Sequence, residues 1–173
     1  MLRTIRALRT VMARLLEAIV ILLMVGLAGV VTVAVIYRKA GASLVWYDEI
    51  VSIMLAWLTY YAAALAALNR AHLGYSGIVD ALPPTLRLVA VLIAEACVIA
   101  FFVLLAWVGW DVLIVLKGDT LVSLPEVPTQ LTQSVIPIGA ALFVIAELLT
   151  LPDVLQREND ASSASKHDKQ LKG

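Results

Sequence analysis

Four long apolar runs divide the chain, each close to the length of a membrane-crossing helix. Residues 18–37 (AIVILLMVGLAGVVTVAVIY) and 50–69 (IVSIMLAWLTYYAAALAALN) carry no charge, whereas 88–110 holds one acid, Glu95, and 131–151 holds one, Glu147. A bilayer core requires about 20 mostly apolar residues per helix, so the pattern predicts four transmembrane helices over these ranges. The third run can carry its acid. Its thirteen Leu, Ile, Val and Phe residues favour insertion by roughly 4–8 kcal/mol, against about 3 kcal/mol for one central carboxylate.

The polar positions then orient the spans. Ten of the thirteen basic residues fall on one side: Arg3, Arg6, Arg9 and Arg14, then Arg70 and Arg87, then Arg157, Lys166, Lys169 and Lys172. Only Arg38, Lys39 and Lys117 fall on the other. An excess of Lys and Arg marks the cytoplasmic side, so both termini are expected inside. Tyr37, Trp46, Tyr47, Trp107 and Trp110 gather at the opposite interface, as an aromatic belt does.

Residues 1–16 (MLRTIRALRTVMARLL) have a helical period, with the arginines on one arc and Ile5, Leu8, Val11, Met12 and Leu15 on the other. This predicts a basic amphipathic helix lying on the inner leaflet, arginines towards anionic headgroups. Residues 17–155 form the four-helix domain, and the polar stretch 156–173 reads as a disordered cytoplasmic tail. The first run is too long for the core of a cleaved signal, and Arg38 and Lys39 precede the only small-residue site, Ala40-Gly41-Ala42.

Composition agrees with an all-α membrane protein. Of 173 residues, 62% are hydrophobic and 15% charged, and the mean hydropathy is +0.95. Soluble domains carry about 45–50% apolar and about 25% charged residues. Thirteen basic residues balance thirteen acidic ones, so no net field points to nucleic acid. The single cysteine, Cys97, has no disulfide partner within the chain and reads as a small membrane-buried side chain.

Candidate chemistry is sparse. Glu17, Glu95 and Glu147 lie towards the cytoplasmic ends of their spans, Glu95 roughly 10 Å and Glu147 roughly 6 Å deep. Pairing with Arg14, Arg70 or Arg87, or with a partner subunit, accounts for them structurally; a proton or cation relay is the sharper reading. Asp48 and Glu49 suit the N-terminus of the second span and read as a solvated cap, with Arg38 and Lys39 in reach. Ala62 and Ala66, and Ala63 and Ala67, have the small-xxx-small spacing of close helix contacts, and Trp57 and Tyr61 share a side. The connection KGDTLVSLPEVPTQLTQSVIP contains Pro125 and Pro128, which prevent a regular helix through SLPEVP; it is a plain loop or a docking surface. Both histidines, His72 and His167, lie outside the spans, where an axial haem ligand would have to be. No metal-ligand cluster, phosphate loop or nucleophile–base pair stands out, so neither a cofactor nor an enzyme is expected.

The order of several features carries a resemblance. Glu49 opens the second span and Trp57 lies within it. Arg70-x-His72 and Val79-Asp80 precede Pro83, and SLPEVP is followed by IPIG (136–139). Over roughly residues 15–155 the chain resembles the small membrane subunit of TRAP transporters (DctQ type), although LGYSGI separates His72 from Val79 where the family commonly has fewer residues. The resemblance implies a non-catalytic scaffold in the bacterial inner membrane, beside a large TRAP membrane subunit and served by a periplasmic substrate-binding protein. It implies sodium-driven uptake of a carboxylated solute. Glu49, Trp57, Arg70, His72, Asp80, Arg87, Glu95 and Glu147 are the candidate structural or interface residues, with Arg70, His72 and Asp80 anchoring the turn between spans two and three. A homodimeric, proton-coupled small exporter using Glu95 or Glu17 is the alternative, and a membrane adaptor the third.

Overall fold

A computed structural model describes the backbone of residues 2–69 and 84–152, with side chains from Ala7 onward except at 84, 85 and 88. Arg70, His72 and Asp80 lie outside the described residues, as do Pro83 and the tail 156–173. The described part is all-helical: α1 (Leu2–Lys39), α2 (Tyr47–Leu68), α3 (Pro84–Val115), the short α4 (Thr129–Gln133) and α5 (135–152). Four stretches are long and apolar enough to cross a membrane: Ala7–Lys39, Tyr47–Leu68, Val89–Val115 and Thr129–Pro152.

The helices outrun the spans read from hydropathy because backbone hydrogen bonding does not stop where side chains become polar. The basic residues 2–16 and the first span are therefore one continuous helix of 38 residues. Its end is sharp. Gly41 adopts φ +84°, which glycine tolerates without a Cβ clash. The Ala42 N–H then donates to the Tyr37 carbonyl at 3.0 Å and the Gly41 N–H to Arg38 at 3.2 Å, the paired bonds of a Schellman cap.

The last span is interrupted near its start. Pro137 has no N–H to offer the carbonyl of Gln133 four residues back, and its ring crowds that group. The helix accordingly stops at Gln133, turns at Ser134 and resumes at 135.

The core lies around α5, where Phe143 and Ala146 meet Leu16 of α1 and Ala64, Ala67 and Leu68 of α2. Phe102 of α3 stacks on Phe143, with centroids 3.6 Å apart and planes 11° from parallel. Glycines let backbones approach closely. A Cβ on Gly139 would sit 2.6 Å from Tyr60 Cβ, and one on Gly109 would sit 2.8 Å from Ile136 Cγ2. With lipid outside and no hydrophobic gain from leaving water, such packing contacts hold the helices together. Burial is uneven. In the most apolar 18 residues of the last span 39% are buried, whereas in α3 none are.

Candidate functional site

The densest polar construction lies at the end of the bundle where α2 begins. Here residues 116–128 fold back as a small hairpin joining α3 to α4. Gly118, at φ +99°, lies in the turn that follows α3. The Thr129 N–H donates to the Asp119 carbonyl at 2.9 Å and the Leu121 N–H to Val127 at 3.1 Å, and Thr120 bridges Pro128. Gln130 Nε2 donates to the Leu113 carbonyl at 2.7 Å, satisfying one of the last carbonyls of α3, which have no partner within the helix.

Two residues of α2 hold this end of the bundle, Glu49 on the connection and Trp57 on α4. Glu49 receives the Ser123 N–H on Oε2 at 2.9 Å and the Val122 N–H on Oε1 at 3.2 Å. Besides opening α2 as an acid of its first turn, it therefore ties that helix end to the 116–128 loop. Arg38, read as a possible ion partner for these acids, has its guanidinium 5.9 Å from the centre of the Tyr47 ring. About 12 Å further along α2, Trp57 Nε1 donates to the carbonyl of Thr132 at 2.8 Å, beside the interruption in the last span. Trp57 also meets Tyr61 edge-on, with centroids 6.4 Å apart.

Between the Glu49 contact and the interruption lies an open cleft of about 420 Å³, lined by Glu49, Ser52, Thr120, Thr129, Thr132 and Gln133 among others. Two of its hydroxyls are engaged with backbone carbonyls. Ser52 Oγ donates to the Asp48 carbonyl at 2.8 Å, and Thr132 Oγ1 to Thr129 at 2.8 Å. Among the described residues no group of three or more His, Cys, Asp or Glu side chains could hold a metal. The arrangement fixes a loop.

The remaining predicted residues are not drawn to this site. Arg87 is half-buried near the start of α3, Glu95 is half-buried farther along α3, and Glu147 is buried on α5 at 5% exposure. At the opposite end of α2, Arg9 Nη2 and Nε donate to the Leu68 carbonyl at 2.6 and 3.1 Å, which joins α1 to the C-terminus of α2. Sequence reading missed Arg9, Gln130 and Thr132 as anchors. Only the break had a signal, Pro137 within IPIG.

The fold and its sites define a four-span helical membrane protein whose described polar contacts fasten its own loops and helix ends. The sequence profile of the family described as tripartite ATP-independent periplasmic transporters, DctQ component, matches residues 27–157. The chain belongs to that family. No match is found among curated proteins.

Proposed function

We propose that this chain is the non-catalytic small subunit of a TRAP transporter, acting as a scaffold for a larger permease subunit in the bacterial inner membrane. The match over residues 27–157 carries the reading. The contacts of Glu49, Trp57 and Arg9 support it, since each immobilises the bundle. The permease then transports a carboxylated solute, driven by sodium and delivered by a periplasmic binding protein.

The distribution of basic residues supports cytoplasmic termini. In that orientation the first turns of α1 meet anionic headgroups at the inner leaflet, and the hairpin held by Glu49 faces the periplasm. The turn containing Arg70, His72 and Asp80 then faces the cytoplasm and contributes to contact with the large subunit.

The test is expression of the chain with its permease and binding protein. The chain is expected to co-purify with a much larger polytopic protein, and uptake is expected to need all three. Solute movement by the chain alone in liposomes would overturn the proposal.

A further inference from the structure

The two sides of α1 differ sharply. Leu16 is fully buried against Ala64, Ala67 and Leu68 of α2, and a Cβ on Gly26 would sit 3.0 Å from Met54 Cε, so this side packs on the bundle. The other side carries Arg14, Glu17, Ile21, Met24 and Ala28, all exposed and spaced by three and four residues like the seam of two packed helices. Ile21 and Met24 suit lipid as well as protein. Arg14 and Glu17 do not suit lipid alone. They lie within a stretch apolar enough to cross a membrane, Ala7–Lys39, and Leu16 between them fixes their level at the last turns of α2. Among the described residues neither has a hydrogen bond or ion pair. An unpaired carboxylate there is costly, and acyl chains supply no donor. An anionic headgroup that would satisfy Arg14 would repel Glu17.

We infer that this side of α1 pairs with the same side of α1 in a second copy of the chain, about a twofold axis along the membrane normal, with Arg14 of each copy against Glu17 of the other. The chain itself supplies both charges. Three residues turn a helix through about 300°, so Arg14 and Glu17 stand about 60° apart and flank one line along the helix. A symmetric contact centred on that line brings the Arg14 flank of one helix to the Glu17 flank of the other, twice over. Ile21 and Met24 continue the contact into the apolar part of the span, and the small Ala28 admits a close backbone. The pairing goes beyond the proposed function: a transporter built on it holds two copies of the small subunit.

The experiment uses the full chain co-expressed with its permease and irradiated in native membranes. A photo-crosslinking residue at Ile21 is expected to give an adduct of twice the mass of the small subunit. The same probe at Leu104, exposed on α3, gives far less. Arg14→Glu and Glu17→Arg each set like charges across the contact and lower the Ile21 adduct about fivefold or more. Co-expressing the two variants under different tags restores it, because each copy then supplies the charge that the other lacks. The Ile21 and Leu104 comparison needs neither variant, so it decides the matter where a charge reversal fails to insert. Equal adducts at the two positions, adducts at Ile21 with lipid or the permease alone, or no recovery on mixing two variants that both reach the membrane would overturn the pairing. None of these outcomes touches the proposed function, which fails instead where the wild-type chain brings down no larger membrane protein.

Discussion

The indole nitrogen of Trp57 donates to the carbonyl oxygen of Thr132 at 2.8 Å, joining α2 to the last span beside its interruption. Pro137 creates that interruption by withholding an N–H from the preceding turn. The tryptophan supplies a donor at a depth where water is scarce and an unmatched carbonyl is costly.

Trp57→Phe keeps the ring and removes the donor. We expect it to destabilise the detergent-solubilised protein by about 1–2 kcal/mol, the order for leaving one acceptor unmatched. The check is thermal or denaturant unfolding beside the wild type. An unchanged midpoint would mean that the contact contributes nothing to the bundle.

Glu49→Ala removes both acceptors from the hairpin at once. The Val122 and Ser123 amides it binds are expected to exchange with deuterium faster by about an order of magnitude, since a released loop opens locally without global unfolding. Exchange within α3 and α5 should hardly change. Glu49→Gln retains one acceptor oxygen and should fall between the two.

Gly139 and Gly29 make a matched pair. An added methyl at Gly139 meets Tyr60 Cβ at 2.6 Å, whereas at Gly29 nothing lies within 4 Å. Gly139→Ala is expected to cost about 1–3 kcal/mol through overpacking. Gly29→Ala should be neutral or stabilising by up to about 1 kcal/mol through helix propensity. Melting temperatures of the two purified variants decide it, and equal shifts would refute the close approach of α2 and α5.

Arg9→Ala strips the donors from the Leu68 carbonyl and a cation from the C-terminal end of α2. We expect a loss of about 1–2 kcal/mol, with Arg9→Lys recovering part of it. Unfolding measured at low and high salt separates the contributions, because only the electrostatic part is screened.

Much of the architecture was legible in the sequence because the requirement is local. In lipid each segment must satisfy its own backbone, so a run of about 20 apolar residues already implies a helix. All four runs are helices long enough to cross a membrane on that ground, and SLPEVP stayed non-helical because its prolines forbid otherwise. The helical period of residues 1–16 was legible, but not that they run on into the first span as one helix: charge marks where lipid ends, not where a helix ends.

The apolar runs, the prolines and the order of motifs thus determined, without coordinates, that the chain carries four helices long and apolar enough to cross a membrane, and which family it resembles. Tertiary structure alone decided where its polar side chains go. Glu49 and Val122 are 73 positions apart, and Arg9 and Leu68 are 59 apart; no periodicity spans such distances. A carboxylate or guanidinium takes whatever backbone group the packed helices bring within about 3 Å, and that neighbour is set by the packing of helices distant in sequence, not by residues adjacent in the chain.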